Sequence, residues 1–355
     1  MTRLTAISGL GAKGPACFLL ETGRARLLLD LGYGPAPGLW PDVSGIGKVD
    51  ALLLSHGHRD HAGALKFLPD IGNPPLHATT SVLARLGRDG KPLPLHGETA
   101  VCGIRVRTGR NGHAPGGVWL HFDVAGGVLY TGDYSIESSV YAYDPPPPAA
   151  TAVLDASYGD YENSIEDCAA RLAPVFGRSA VLLPVPADGR GPELALHLAG
   201  LGVMPCIGAE LRASLESMAG AERDCLRPGA ADRLARIARD APSPAEPRGI
   251  LLTGRADASD GEAACLTARW EREPGPEIVF TGYVPPGSPA QRMIDSKRAS
   301  YTRWNAHPRL SDNATLVRSV GAKLVFPAFG DARHLEAWRK AFAPARVTVE
   351  RETAL

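Results

Sequence analysis

Three histidines and one aspartate fall within six residues of the segment SHGHRDHAG, at His56, His58, Asp60 and His61. The segment follows VDALLL, a nearly continuous apolar run that is typical of a buried strand. His56 and His58 are two residues apart, so on extended chain their side chains point the same way and can share one cation. Asp60 and His61 lie on the next turn and can face a second cation. Neutral imidazole with carboxylate suits Zn²⁺, and the carboxylate also admits Mn²⁺.

Three more distant residues can complete such a site. His113 lies in the Gly-rich segment NGHAPGG, and Asp133 follows the strand pattern Val128–Tyr130 in the segment YTGDYS. The two oxygens of a carboxylate at Asp133 can bridge two metal ions. Asp30 ends the apolar run LLLD, where it either orients a ligand histidine from behind or caps the next turn. We expect the orienting role.

The elements that must position these residues differ between the two halves of the chain. The first part reads as strands joined by turns, including Gly103–Thr108, Val118–Val124 and Gly127–Thr131. The segment DPPPPAA at Asp144–Ala150 is a stiff connector, because proline fixes φ and lacks the N–H group. From about Glu162 onward strand and helix patterns alternate, which predicts a second, mainly parallel α/β unit.

Composition describes a globular protein without strong charge. The chain has 355 residues, 44% of them hydrophobic and 21% charged, which suits one large domain or two of moderate size. Its 38 basic residues equal its 38 acidic residues, which argues against a strongly basic nucleic-acid coat but leaves room for a local positive cleft. No apolar run approaches the roughly 20 residues of a membrane span, and we identify no signal peptide. The six cysteines have no CxxC spacing, which favours a cytoplasmic protein.

The ordered set of the HxHxDH run, His113 and Asp133 resembles the metallo-β-lactamase superfamily. In that superfamily the corresponding residues hold one or two metal ions at the edge of an αββα sandwich. The motif is specific for the fold but weak for the substrate, since the superfamily includes lactamases, thioesterases, lactonases and nucleases.

The second half is similar to the β-CASP branch of this superfamily, the nucleases related to RNase J and to the polyadenylation-complex endonuclease. YTGDYS followed by VLDASYGD resembles a turn and then a strand that ends in an acidic residue, here Asp155, shortly before Tyr158. The segment VLLPVPADGRGPE resembles the branch's strand–GRxxE–helix element and contains Arg190 and Glu193. The segment WNAHPRLSDN places His307 at the histidine of the pattern.

This resemblance covers nearly the whole chain and implies an α/β fold with two domains. The first is an αββα metallo-β-lactamase sandwich, formed by residues 1–160 and 300–355. The second is an inserted α/β β-CASP domain at 161–299.

One position departs from the pattern of the RNA-cleaving members. After the strand KLVFP they usually carry a metal-ligating histidine before a glycine, whereas this chain has Phe329 in the segment PAFGD. His334 is near in sequence but falls in the following helix pattern, so we do not expect it to substitute. We therefore expect one firm Zn²⁺ site and a second site that is weak or empty. The first would use His56, His58, His113 and Asp133, and the second would keep Asp60, His61 and a bridging Asp133.

The resemblance implies a metal-dependent phosphodiesterase or nuclease that acts on nucleic acid by attack of a metal-bound hydroxide on phosphorus. Single-stranded RNA processing, or exonuclease action on RNA, is the first interpretation. The candidate catalytic residues are Asp60, His307 and Asp155, with His307 as general acid and Asp155 holding its ring. Arg190 either clamps phosphate or braces the junction between the two domains. Tyr158 either offers a stacking surface or packs internally.

Three alternatives stay open at this point. A DNA nuclease of the same branch is favoured by Phe329, because DNA-processing members also carry an apolar residue there. A hydrolase of small esters, lactones or cyclic phosphodiesters is favoured by the neutral charge and the missing ligand. A weakly active binding subunit is the third, although such proteins typically lose several ligands and this chain lacks one.

Overall fold

The computed structural model describes residues 2–177, 180–244, 248–270 and 275–355. The strands in these ranges are β1 (Arg3–Ser8), β2 (Cys17–Glu21), β3 (Arg26–Leu29), β4 (Ala51–Leu53), β5 (Leu76–Thr79), β6 (Lys91–Leu93), β7 (Gly97–Val101), β8 (Ile104–Arg110), β9 (Val118–Phe122), β10 (Val128–Tyr130), β11 (Thr151–Asp155), β12 (Ala180–Pro184), β13 (Cys206–Ile207), β14 (Gly249–Thr253), β15 (Glu277–Phe280), β16 (Ala299–Tyr301), β17 (Leu324–Ala328), β18 (Arg346–Val347) and β19 (Glu352–Ala354).

The α-helices in the same ranges are α1 (Arg59–Ala62), α2 (Thr80–Leu86), α3 (Ile165–Phe176), α4 (Arg190–Gly200), α5 (Ala209–Ala219), α6 (Ala230–Asp240), α7 (Gly261–Trp270), α8 (Pro289–Asp295), α9 (Leu310–Val320) and α10 (Leu335–Phe342). Short 3₁₀ helices cover Leu65–Ile71, Arg223–Cys225 and Ala332–His334. Within the described ranges, no helix is long and apolar enough to cross a membrane.

The chain divides into two compact units. The first unit comprises Met1–Ile136, Ala142–Glu162 and His307–Leu355, and the second comprises Glu137–Tyr141 and Asn163–Ala306. The sequence boundaries place Glu137–Tyr141 in the first domain, and here the structure differs. The backbone of this segment pairs with residues far along the chain: Arg227 N–H donates to the Val140 carbonyl, and Tyr141 forms a bridge with Leu226.

Two seven-stranded sheets form the centre of the first unit. Their strand orders are β19-β1-β2-β3-β4-β5-β6 and β18-β17-β11-β10-β9-β8-β7. Alternate side chains along each strand point inward, as the period of two requires, and the inward sets form one core. The first sheet contributes Leu4, Phe18, Leu20, Leu27, Leu29 and Leu53, and the second contributes Val106, Leu120, Phe122, Tyr130, Val153 and Phe326.

Helices cover the outer face of each sheet. Leu28, Leu52 and Leu54 pack with α2 residues such as Val82 and Leu83 on the outside of the first sheet. The outer face of the second sheet is covered by α9 and α10, through the buried residues Leu316, Val317, Trp338 and Phe342. The layers are therefore helix, sheet, sheet and helix, which confirms the predicted αββα sandwich.

Parallel pairing brings several polar strand ends to one edge. β3 and β4 are parallel, with Leu29 opposite Leu53, and Asp30 and Ser55 follow their carboxyl ends. β10, β11 and β17 are also mutually parallel, with Asp155 opposite Ala328. The carboxyl ends of parallel strands are where α/β folds place their sites.

The second unit contains a five-stranded sheet in the order β13-β14-β12-β15-β16. All of its strand pairs are parallel. Helices α7 and α8 pack on the sheet through Ala263, Trp270, Ala290 and Met293. The predicted α/β pattern with a mainly parallel sheet is confirmed for this half.

Candidate metal centre

The His-rich segment is held in place by one buried carboxylate. After β4 ends at Leu53 a short segment leads to His58, which occupies the N-cap position of α1 with φ −65° and ψ 152°. Asp30 accepts hydrogen bonds from both the backbone N–H and the hydroxyl of Ser55, each at 2.7 Å. Asp30 is itself fully buried and adopts a left-handed φ of 57°. This carboxylate therefore fixes the backbone from which His56 and His58 project.

Three imidazoles converge in a first group. His56 Nε2 lies 3.1 Å from His58 Nδ1, and His58 Nδ1 lies 3.1 Å from His113 Nε2. His56 and His113 are buried and His58 is half-buried. His113 is placed by the loop that follows β8, where its backbone N–H donates to the Asn111 side-chain oxygen at 3.1 Å. Three neutral imidazole nitrogens at this spacing are the donor set of a divalent transition-metal site.

Asp133 lies between this group and a second one. Its Oδ2 is 3.6 Å from His113 Nε2 and 3.9 Å from His56 Nε2, while its Oδ1 is 3.1 Å from His61 Nε2. Oδ1 is buried and accepts no hydrogen bond of good geometry. Burial raises the pKa of Asp133, but the surrounding histidines, His61 first, hold it well below its usual range. A buried, ionised carboxylate with an oxygen to spare fits a bound cation.

The far side of the His61 ring is fixed by Asp30. His61 Nδ1 lies 2.7 Å from Asp30 Oδ2, and the Tyr130 hydroxyl donates to the same oxygen at 2.5 Å. Burial lowers the pKa of His61, but Asp133 and Asp30 together raise it well above its ordinary value. Asp30 thus sits behind a candidate ligand, where the sequence analysis places it. The sequence analysis did not identify Ser55 or Tyr130 as site residues. Ser55 directly precedes His56, and Tyr130 lies three residues before Asp133.

Three groups of possible ligands can be drawn from the described part of the chain: His56, His58 and His113; His56, His61 and Asp133; and His113, Asp133 and His307. Asp60, predicted as a ligand of the second metal, is in none of them. It lies in the short helix α1 and is only half-buried. Its backbone carbonyl accepts a hydrogen bond from the Ala16 N–H at 2.8 Å.

Phe329 forms an apolar wall beside the second group. It directly follows β17, is 4% exposed and adopts a left-handed φ of 63°. Its ring centroid lies 5.0 Å from that of His61 and 6.1 Å from that of Phe18. A ring packed into the core at this position offers no electron pair to a metal. His334 does not replace it, because His334 Nδ1 lies 3.2 Å from Asp160 Oδ1 instead.

His307 and Asp155 form a pair next to the first group. His307 Nδ1 lies 2.8 Å from Asp155 Oδ2, and the His307 ring centroid lies 5.0 Å from that of His113. Asp155 is fully buried at the end of β11, and its other oxygen accepts the Ser157 N–H at 3.0 Å. Tyr158 packs edge-on against His307, with 5.1 Å between centroids. Because Nδ1 faces Asp155, Nε2 is the ring atom through which His307 can exchange a proton with a substrate.

Arg190 belongs to a buried polar cluster of the second unit. It begins α4 and is 9% exposed, and a Cβ added at Gly282 would overlap its guanidinium. Glu193, one turn later, accepts a hydrogen bond from Trp304 Nε1 at 3.0 Å. Burial raises the pKa of Glu193 to about 7, against the opposing effects of its hydrogen bonds and of Arg190. Such burial suits a bracing role better than a phosphate clamp.

Comparisons with known proteins agree with this geometry. Residues 10–176 match the family model of the metallo-beta-lactamase superfamily. The chain is 27% identical to the transcription termination factor FttA of Methanosarcina mazei, over 55% of this chain and 39% of that protein. It is 26% identical to the cleavage and polyadenylation specificity factor 73 of Drosophila melanogaster, over 55% of this chain and 36% of that protein. It is also 26% identical to the endoribonuclease YSH1 of Kluyveromyces lactis, over 55% of this chain and 32% of that protein.

The chain therefore spans only 32% to 39% of the length of these three relatives. A crystal structure of a protein of unknown function from Enterococcus faecalis V583 aligns over 100% of both chains with a TM-score of 0.64 and 15% identity, which supports the fold. The family match implies binding of a divalent metal, and the His and Asp groups can hold one. We conclude that residues 10–176 match the metallo-β-lactamase superfamily, and that 55% of the chain is similar to FttA, the cleavage and polyadenylation specificity factor 73 and YSH1.

Proposed function

We propose that this protein is a metal-dependent phosphodiesterase that cleaves nucleic acid, with single-stranded RNA as its first substrate class. The observation that carries the proposal is the His307–Asp155 pair, whose ring lies 5.0 Å from the His113 ring of the three-imidazole group. This arrangement sets a proton donor beside a metal site. The names of two relatives, an endoribonuclease and a polyadenylation factor, point to RNA.

The proposed metal is Zn²⁺, held by His56, His58, His113 and Asp133, with Mn²⁺ as a possible substitute. A divalent metal bound there activates water and offsets negative charge on phosphoryl oxygens. The second position, beside His61 and Phe329, is proposed to be weak or empty. Asp60 is in none of the ligand groups of the described part of the chain, and for that reason we assign it the smallest part of the predicted set.

The protein's own groups handle the leaving oxygen. Asp155 holds His307 Nδ1 at 2.8 Å, which orients the ring. His307 then donates the proton on Nε2 to the oxygen that departs from phosphorus. Asp30 holds Nδ1 of the His61 ring, so that Nε2 of the same ring faces Asp133. Tyr158 supports the edge of the His307 ring.

We further propose that the second unit is the inserted β-CASP domain, braced by Arg190 and Glu193. A cytoplasmic location remains our proposal from cysteine usage, and all six cysteines have free thiols. A DNA substrate is the second candidate function, since Phe329 stands at the position where DNA-processing members carry an apolar residue.

The decisive experiment compares cleavage of end-labelled single-stranded RNA and matched DNA by Zn²⁺- and Mn²⁺-loaded protein. His58→Ala and His307→Ala should both abolish or strongly reduce cleavage, whereas only His58→Ala should reduce bound metal. His96→Gln is the matched control, because the His96 side chain is 70% exposed and pairs with Asp144 outside the site. Metal bound at one per chain without cleavage of either strand would refute the proposal and favour a hydrolase of small esters or a binding subunit.

A further inference from the structure

An exposed aromatic cluster lies on the first unit, formed by Tyr33, Trp40 and Phe67; we refer to it as the aromatic platform. The ring centroids of Tyr33 and Trp40 are 3.9 Å apart with 36° between planes, and Phe67 meets Trp40 edge-on at 5.5 Å. Trp40 is 37% exposed and its neighbour Leu39 is 39% exposed. Tyr33 and Phe67 are half-buried. Trp40 and Leu39 thus present a small apolar patch to solvent, and exposed apolar patches can mark binding sites.

Two cations cover the platform. Lys66 Nζ lies 3.6 Å from the Trp40 centroid and 4.9 Å from that of Phe67, and the Arg59 guanidinium carbon lies 5.2 Å from the Tyr33 centroid. Tyr33 and Lys66 each approach the Trp40 centroid within 4 Å, so they must occupy opposite faces of the indole. Lys66 is an exposed, flexible side chain. It can therefore move from the ring to a nearby anion and uncover a flat aromatic face.

The platform is joined directly to the metal-binding segment. Arg59 is the residue after His58, and its carbonyl accepts the Tyr33 N–H at 2.9 Å. The His61 carbonyl accepts the Leu31 N–H at 2.8 Å. A Cβ added at Gly63 would lie 2.9 Å from side-chain atoms of both Arg59 and Tyr33, so the packing here is tight. A molecule bound on the platform is thus held by the same backbone that carries the candidate ligands.

We propose that the aromatic platform stacks the bases of a single-stranded nucleic acid, whose phosphates pair with Lys66 and Arg59, and so guides the strand to the metal centre. This inference rests on the proposed function and supplies its substrate-binding surface. Flat aromatic faces accept any base, and adjacent cations suit the polyanionic backbone. The neutral overall charge of the chain makes such a local combination necessary, since there is no general attraction for nucleic acid.

The test uses fluorescence anisotropy of labelled oligouridylate and oligothymidylate, with His307→Ala as the background so that strands stay intact. Trp40→Ala should weaken binding about tenfold, within the range seen for single stacked bases. Trp40→Phe should retain most of the affinity. Lys66→Ala should weaken binding several-fold and reduce the slope of log K against log salt by about one. Leu201→Ala is the control, because Leu201 is 57% exposed and lies in the second unit.

In an otherwise unchanged chain, Trp40→Ala should raise KM for an oligonucleotide, whereas Leu201→Ala should leave that KM unchanged. If Trp40→Ala and Lys66→Ala both bind the two oligonucleotides within twofold of the wild-type affinity, the aromatic platform does not bind nucleic acid. This conclusion holds even if the wild-type protein cleaves a strand. The result would then favour a protein partner for this surface. If wild type binds strands through Trp40 but cleaves none, the proposed function fails and the platform stands. If wild type binds neither strand, both are wrong. The comparison of the uridylate and thymidylate arms identifies the preferred nucleic acid.

Discussion

His307 Nδ1 and Asp155 Oδ2 lie 2.8 Å apart, although 152 positions separate them in the chain. The pairing is specified from both sides: Asp155 ends a central parallel strand, and the Asn313 side chain in α9 donates to the Asp155 carbonyl at 2.8 Å. Since α9 begins three residues after His307, it also anchors the segment that carries the histidine. Buried hydrogen bonds from two parts of the chain thus orient the imidazole of His307.

Asp155→Asn should reduce kcat for oligonucleotide cleavage, because a neutral amide holds the imidazole in its orientation less firmly than the carboxylate does. His307→Ala should reduce it further, by about 10²–10⁴-fold, the range for loss of a general acid. Bound metal per chain should stay unchanged in both variants, as measured by elemental analysis of dialysed protein. A wild-type rate in His307→Ala would remove the general-acid role.

Asp30→Asn should weaken metal binding by about 10–100-fold, the usual effect of losing an outer group that orients metal ligands, because Asp30 fixes the Ser55 backbone from which His56 and His58 project. Asparagine tolerates the left-handed φ of 57° at this position, so the variant isolates the loss of the charged acceptor. Competition with a coloured chelator gives the affinity. Equal affinity in both proteins would show that Asp30 does not hold the segment that carries His56 and His58 in its metal-binding geometry.

Phe329→His should raise the metal content from about one ion per chain toward two. The new imidazole would stand beside His61, whose ring is now 5.0 Å from the phenyl ring. Histidine also tolerates a positive φ better than branched residues. Phe329→Leu is the control, which should leave the metal content unchanged. An unchanged stoichiometry in Phe329→His would mean that this position does not face the second site.

The second unit should lose stability as pH rises. Burial raises the pKa of Glu193 to about 7 from an ordinary 4.5, so the folded state holds this proton more tightly than the unfolded chain does. The stabilisation of the folded state that comes from protonated Glu193 is fully present below pH 4.5 and is lost as pH rises through 7. Glu193→Gln should therefore raise Tm relative to wild type at pH 8 by several degrees and have little effect at pH 5. Thermal melts at both pH values decide this; a gain of equal size at both would exclude titration of Glu193 as its cause.

Metal removal should destabilise the first unit. The three imidazoles and Asp133 hold the ion only in the folded state, so binding contributes directly to folding stability. Tm should fall on treatment with a chelator and recover with Zn²⁺. His58→Ala should show a much smaller response, and an equal response would place the ion elsewhere.

Much of the site could be predicted because most of its candidate histidine ligands lie close together in the sequence. His56, His58 and His61 belong to one short segment, and the apolar run before it predicts the strand that presents them. The contacts between distant segments could not be predicted in the same way. Ser55 has no distinguishing pattern of its own, yet it carries two of the hydrogen bonds to Asp30. Asp60 stays a prediction: the motif suggests a ligand, its backbone carbonyl accepts a hydrogen bond from the Ala16 N–H, and its side chain is in none of the ligand groups of the described part of the chain.

The short strands show the same limit of sequence reasoning. β19 is only three residues long and alternates polar with small residues, so no pattern in it predicts pairing with β1 at the other end of the sequence. The segment Glu137–Tyr141 is likewise too short to reveal that it pairs with residues near Leu226. In both cases the partner strand or loop decides the structure, and local preference is weak.

The order of the strands in the second sheet has a consequence for the protein during its synthesis. β11 lies between β10 and β17, so its outer edge stays unpaired while more than 160 further residues leave the ribosome. The edge of β1 that pairs with β19 stays unpaired for longer still, because β19 lies near the other end of the sequence. At the usual 5–20 residues per second, the nascent chain carries two open strand edges for roughly ten seconds or more. Expression without chaperones, or with slow translation of this region, should therefore favour aggregation over folding.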